Sequence, residues 1–455
     1  MDSEIVLQRA EEAHLRLVRF MYCDNGGIIR GKASHINGLK NRMEEGIGQS
    51  LAMQAFAGFD ALAAVDGMGP VGEFRLVPDP NTFVVLPYAP NTGMMICDLY
   101  SQHDRQPWSA CPRTFLKRMI AAAAELGIAV QASVEHEFYL AREADGGGYA
   151  PYDRSLCYSS IGFDSSALII DDILAALEQE GVQVEQFMPE LGPGQQELSI
   201  HHADALRAAD SVLLVRETVR GVALRHGVLA SFAAKPFLDQ AGSGAHIHFS
   251  LWGLPGADNA GQNLLHDPQG SGGISQLGYH FIGGVLDHLP ALLALTCASP
   301  NSYRRLLPHF WSSAYTAYGF DNREGAIRIP SPFWGREAES TNFELKPADH
   351  SGNPYLALGA LIAVGLDGIR RQLHPGDPID IDPANLSDED RQRRHISRLP
   401  ASLDEALNAL EKDTVLAEAL GPTEMTAYLA VKRLECQHFA EMAPEEEARQ
   451  HFYKY

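Results

Sequence analysis

The chain has 455 residues, 45% apolar and 21% charged, enough for two or three core-forming units at roughly 150 residues per domain. Its net charge of −22 argues against DNA or RNA as a partner, because phosphate binding needs concentrated Lys and Arg. Small anions stay open, since metals and a local Arg cluster reverse the sign inside a cleft. No run of about 18 uncharged apolar residues points to a membrane span, and the start MDSEIVLQRAEEAH lacks a signal peptide's basic and apolar regions. The expected location is the cytoplasm. Six scattered cysteines offer neither a zinc motif nor a redox CxxC.

In chain order, Leu15 to Ala33 reads as a hairpin: LRLVRFMYC, the turn Asp24-Asn25-Gly26-Gly27, then IIRGKA. Asn-Gly and Gly-Gly supply the positive φ that tight hairpin turns require. More β-rich sequence follows in EFRLVPDPNTFVVLP and MMICDLY. Beyond Gln102 the texture changes: Pro112 to Leu126 predicts a helix opened by Pro and closed by Gly127, with Phe115, Met119, Ile120 and Ala123 on one side. A β-rich domain over 1–105 and a mixed domain over 106–455 are expected. Leu251 to Gly273 reads as an inserted surface loop, and the stretch from Ser402 onward has helical periodicity.

Five blocks carry chemistry. Val130 to Leu140 alternates as a strand, with Ser133, Glu135 and Glu137 on one face and Val130, Ala132, Val134, Phe138 and Leu140 on the other. Two carboxylates on one strand face repel each other, and a divalent cation removes that cost. In Glu190-Leu-Gly-Pro-Gly-Gln-Gln-Glu197, two acids flank a turn that aims both into one cleft. In Gly242-Ser-Gly-Ala-His-Ile-His-Phe-Ser250, His246, His248 and Ser250 share a face, suited to a metal and a phosphate. Arg304, Arg305, Arg323 and Arg328 sit near Pro and Gly turns, where Arg holds carboxylate or phosphate oxygens bidentately. Last, Glu344 and Lys346 lie on one strand face. Each block alone also reads as a solvated surface. Five in series do not.

In this order and spacing the blocks resemble glutamine synthetase over nearly the whole chain: VEHEF, ExxPGQxE, KP followed by GSGxHxH, NSYRRL, DNRxxAIRIP and NPYLA. The resemblance implies an α+β fold, with an N-terminal β-grasp domain and a catalytic domain built on a curved antiparallel sheet with flanking helices. It implies a homo-oligomer, two stacked hexameric rings making a dodecamer. ATP is implied, with two or three Mg2+ or Mn2+ ions. Glu137, Glu190 and Glu197 would hold one metal, and Glu135, His246 and Glu344 the other. His248, Ser250 and Arg328 fall with the ATP site. Gly242, Arg305, Arg323 and Lys346 fall with glutamate and the phosphoryl group, and Arg305, Arg323 and Glu190 are the catalytic residues. Lys346 stands where the family has Arg, and Lys cannot form the bidentate fork.

The implied reaction activates the γ-carboxylate of glutamate as an acyl phosphate, which an amine then attacks. Family members that use ammonia place a Glu six residues after the Arg of R-L-x-P. Here that position is Trp311, and Gly48 to Phe56, the counterpart of a second pocket segment, carries no acid. Asp60 or Asp66 could replace it from a shifted loop. An apolar ring favours an organic amine, alkyl or aromatic, over NH4+. Ammonia as substrate, a polyamine, and a non-catalytic assembly remain the alternatives.

Overall fold

The computed structural model describes residues 2–145 and 147–455. The hairpin forms as β1 (Leu17–Cys23) and β2 (Ile29–His35), antiparallel with Leu17 opposite His35. With β3 (Ile47–Ser50), β4 (Glu73–Pro78), β5 (Val84–Val85) and β6 (Thr92–Ser101) it makes a sheet in the order β2-β1-β6-β4-β3, with β5 on β6. Only β1 and β6 run parallel within it. Val18, Phe20, Phe74 and Leu76 pack its inner face against Val6 of helix α1 (Ser3–Glu12) and Leu39 of α2 (Leu39–Glu45).

The hairpin turn differs from expectation in one respect: of its two glycines only Gly27 takes positive φ, at 79°. Its tip is also buried rather than solvated. Asn353 donates to the carbonyls of Cys23 (3.0 Å) and Asp24 (3.2 Å), and the Tyr455 hydroxyl donates to Gly26 (2.7 Å). Groups 330 and 429 residues away thus satisfy the turn's backbone, which burial would otherwise orphan.

Helix α3 (Pro112–Ala124) starts with Pro in its first turn and ends just before Gly127, whose φ is 76°. It buries Phe115, Leu116 and Ala123, while Met119 and Ile120 are half-buried. We propose the division between the two domains at 105/106, in the connection from β6 to α3. Next comes β7 (Ile128–Glu143), the spine of a second sheet. Its other strands are β8 (Tyr149–Pro151), β9 (Val184–Pro189), β10 (Gln195–Ile200), β11 (Ala203–Asp204), β12 (Leu229–Ser231), β13 (Ile247–Gly253), β14 (Tyr318–Phe320), β15 (Ile327–Ile329) and β16 (Phe343–Leu345). The order is β14-β15-β16-β13-β7-β10-β9, with β8, β11 and β12 also pairing with β7. All pairings except β14 with β15 are antiparallel.

The apolar side chains of β7 face the helices. Val130, Ala132 and Val134 join Phe249 and Leu251 in a core with α6 (Gln276–Thr296) and α8 (Pro354–Arg371). Phe138 and Leu140 pack with Ile173 of α4 (Ser160–Gln179) and Leu214 of α5 (Ala205–Arg225). The segment expected as a loop from Leu251 begins later, because Leu251 is fully buried and the ladder with β7 runs on to Gly253 opposite Ile128. The periodic C-terminal stretch forms helices Leu403–Leu410 and Pro422–Phe439. The fold is α+β, and among the described residues no helix is long and apolar enough to cross a membrane.

Arg113, buried on α3, ties the two sheets together. It donates to both carboxylate oxygens of Asp210 on α5 at 2.9 Å, to Asp98 of β6 at 3.2 Å and to Asp79 at 2.9 Å. Asp210 also accepts the Tyr355 hydroxyl at 2.7 Å. Removing the cation strands buried carboxylates, so Arg113→Ala is expected to cost about 3–5 kcal/mol, read from urea unfolding. An unchanged midpoint would mean that apolar contacts alone hold the domains together.

Candidate active site

The polar face of the second sheet carries a row of charged side chains running across its strands. Register sets the row: Arg328 of β15 lies opposite Glu344 of β16, Glu344 opposite His248 of β13, and Glu137 of β7 opposite Glu197 of β10. His246 precedes β13, and its carbonyl accepts the Glu135 amide at 3.0 Å. Glu190 follows β9. Period-two alternation puts all of these opposite the helix-packed face.

Glu135, His246 and Glu344 offer ligand atoms that all lie within 4.8 Å of one another. His246 Nδ1 is 3.0 Å from Glu135, 3.5 Å from Glu344 and 3.7 Å from Glu137. Glu137, Glu190 and Glu197 crowd one another without closing to that spacing. Glu190 is instead turned onto the Tyr158 hydroxyl (3.0 Å) and the Leu191 amide (2.9 Å). Glu137 accepts from Gln195 Nε2 at 3.2 Å and the Gly244 amide at 3.0 Å.

The electrostatics record the crowding. Burial raises the Glu197 carboxyl, and Glu135, Glu137 and Glu190 raise it further; burial and Glu137 likewise raise Glu190. On the other side of the row cations win. Burial opposes ionisation of Glu135, yet His248 and His246 hold it well below the usual carboxylate range. Against its own burial, Lys346, His248 and His246 bring Glu344 down to about 2. His248 is raised to about 9 against its burial, chiefly by Glu135. Carboxylates that repel one another beside a clustered imidazole fit divalent cations, which would relieve that repulsion.

The remaining candidates divide. Arg328 donates to Glu344 at 2.9 Å and Lys346 lies 3.2 Å from the same carboxylate, so both are bound to a metal-ligand candidate rather than held free. His248 is fixed by Asn342 Oδ1 at 2.8 Å and by Glu135 at 3.1 Å. Ser250 lies further along β13, where its hydroxyl accepts from Trp252 Nε1 at 2.8 Å, outside the charged row. Arg305 is buried, donates to the Ala348 carbonyl at 2.8 Å and leaves its Nε without a partner among the described residues. A Cβ at Gly242 would fall 2.6 Å from Arg305 Cγ, so only glycine permits this approach. Arg323 is exposed. Asp60 is tied to Arg30 at 2.8 Å and Asp66 is exposed. Gln195 lies within the ExxPGQxE motif, whereas Tyr158 and Asn342, which also orient the row, carried no sequence signal of their own.

Trp311 is 65% exposed, which rules out a core role. Its loop is strained: His309, Trp311 and Ser313 have φ of 66°, 56° and 67°, in the region that favours glycine. Hydrogen bonds from neighbours hold it. The Trp311 amide donates to Glu324 Oε1 at 2.8 Å, Ser312 Oγ to the Arg305 carbonyl at 2.7 Å, and Ser313 Oγ to the Gly325 carbonyl at 2.7 Å.

Family models match both parts of the chain: the glutamine synthetase N-terminal domain over residues 1–108 and the glutamine synthetase catalytic domain over residues 109–451. The chain belongs to the glutamine synthetase family. It is 38% identical over 414 residues to the gamma-glutamylpolyamine synthetase GlnA3 of Streptomyces coelicolor, covering 90% of this chain and 87% of that one. It is 32% identical over 462 residues to the glutamine synthetase of Halobacterium salinarum, covering 100% and 97%. The crystal structure of a novel glutamine synthase homolog superposes with a TM-score of 0.85 at 33% identity, covering 97% of this chain and 99% of that one. GmaS in complex with ADP superposes with a TM-score of 0.83 at 30% identity, covering 98% of each. As a glutamine synthetase-family protein the chain is an ATP-dependent, metal-binding ligase that forms carbon–nitrogen bonds.

Two separate metal sites are expected from the two carboxylate groups. Glu344→Gln and Glu137→Gln are each expected to remove a different Mn2+ site and to abolish ligation while the circular dichroism spectrum is kept. Calorimetric Mn2+ titration checks this: unchanged stoichiometry in either variant would remove that residue from the metal set.

Proposed function

We propose that this glutamine synthetase-family ligase joins an organic primary amine, alkyl or aromatic, to the γ-carboxylate of L-glutamate, giving a γ-glutamylamide, ADP and phosphate. The observation that carries the reading is Trp311, an exposed aromatic side chain at the position where ammonia-using relatives place an acid. A relative named for γ-glutamylpolyamine synthesis supports an amine larger than ammonia.

A carboxylate is a poor acylating agent, so a γ-carboxylate oxygen first attacks the γ-phosphorus of ATP and ADP leaves. The amine nitrogen then attacks the acyl phosphate carbonyl, and phosphate departs. Two or three Mg2+ or Mn2+ ions, held by Glu137, Glu190 and Glu197 and by Glu135, His246 and Glu344, would neutralise phosphate charge. Arg305, with its unpartnered Nε, and the exposed Arg323 offer donors to the glutamate carboxylate and the phosphoryl group. His248 and Arg328 serve the ATP phosphates, with Ser250 at the edge of that site; Gly242 keeps Arg305 in place, and Lys346 holds Glu344 ionised. We place the enzyme in a dodecamer of two hexameric rings. Phe333 and Trp334, 64% and 99% exposed, are aromatic surface that a neighbouring subunit would cover.

The test is phosphate release with ATP, Mg2+ and glutamate across ammonia, methylamine, isopropylamine, putrescine and aniline. An enzyme active only with ammonia would overturn the reading. Burying a branched or phenyl group against Trp311 is worth about 1–3 kcal/mol. Trp311→Ala is therefore expected to raise KM for the preferred bulky amine roughly tenfold to a hundredfold, with KM for ATP and glutamate nearly unaltered. Equal loss toward all amines would instead mark the loop as structural.

A further inference from the structure

Glu324 is a buried acid beside the Trp311 loop for which the reaction so far has no use. It is 8% exposed, and no Lys, Arg or His forms an ion pair with it among the described residues. The two basic groups within electrostatic reach are committed elsewhere, His309 to Asp382 at 2.6 Å and Lys346 to Glu344 at 3.2 Å, and Asp382 adds a second negative charge. Its Oε1 accepts the Trp311 amide at 2.8 Å. Its Oε2 takes no hydrogen bond among the described residues, yet it is not sealed in the interior. A desolvated carboxylate without a cation is unfavourable, so the position calls for a positive group from outside the chain.

The placement says which one. Glu324 follows Arg323 in sequence and touches the backbone of Trp311, the residue that displaces the family's pocket acid. Asp60 and Asp66, the other candidates for that acid, are on the surface of their own subunit. On the reading that this site joins an organic amine to glutamate, we infer that Glu324 is the amine-pocket acid, moved from the Trp311 position to the facing loop. Its open Oε2 receives the ammonium head of the incoming amine and takes one proton from it. The freed nitrogen lone pair forms the bond to the acyl carbon as the bond to the phosphate oxygen breaks. The nitrogen's second proton leaves with the phosphate. The substrate is therefore an aliphatic primary amine, cationic in solution, rather than an aniline, and the Trp311 ring covers its alkyl part.

Glu324→Gln separates this role from a structural one, because the amide oxygen still accepts the Trp311 N–H. With ATP and glutamate saturating, kcat/KM should fall roughly tenfold to a hundredfold for methylamine and isopropylamine. Hydroxylamine, similar in size to methylamine but mostly unprotonated at neutral pH, should change by less than about threefold. The methylamine defect should also shrink as pH rises and the free amine accumulates. Equal losses for methylamine and hydroxylamine, or no loss for either, would overturn the assignment. If the wild-type enzyme accepts ammonium and no organic amine, the proposed function fails by itself. The contrast between ammonium and hydroxylamine in Glu324→Gln then still decides the role of Glu324.

Discussion

Like charges forced together on one face of a sheet are the constraint around which this molecule is organised. Glu135, Glu137, Glu190 and Glu197 converge from three neighbouring strands and their ends, largely out of water, where their mutual repulsion is strongest. The chain answers with cations at one end of the row only: His246 and His248 on Glu135, Arg328 and Lys346 on Glu344. At the other end Glu137 accepts from Gln195 and Glu190 from Tyr158, both neutral, with His246 no nearer to Glu137 than 3.7 Å. The site is thus polarised along the row, self-compensated where Glu344 sits and electron-rich where Glu197 sits.

A rigid platform is what makes such crowding sustainable. Strand β7 carries Glu135 and Glu137 on one face and buries Val134, His136 and Phe138 on the other. His136 stacks on His350 with ring centroids 5.1 Å apart, and burial together with Arg216 lowers its pKa to about 3. The His136 imidazole beneath the row is therefore neutral near pH 7 and adds no charge of its own. The hairpin tip and the Arg113 network then lock the first sheet to this platform from the far side.

How much of this the sequence disclosed follows from range. Alternation in β7, the hairpin, and the α3 boundaries are local signals, and each is visible in a window of about a dozen residues. The acids and histidines of the row were legible through their motifs. Pairings set by tertiary register were not: Glu344 and Lys346 share a strand face in the sequence, but nothing near Arg328 announces that it meets the same carboxylate. The burial of Asp24 and Asn25 depends on Asn353 and Tyr455, and a turn sequence cannot reveal what docks on it. Trp311-Ser-Ser313 contains no glycine or asparagine to mark its left-handed backbone. Glu324 stood in plain view beside Arg323, but only the bond to the Trp311 amide sets it apart.

That loop separates two duties that proteins usually combine. Its unfavourable backbone is held by Glu324 from outside and by the loop's own Ser312 and Ser313 hydroxyls on neighbouring carbonyls, while the Phe310 and Trp311 side chains are left exposed. The scaffold depends on the two serines and not on the rings at 310 and 311. Rings at 310 and 311 are in this sense interchangeable parts on a fixed mount. A lineage or an engineer could exchange them and alter which amine is accepted, with the charged row, the metals and the fold left undisturbed.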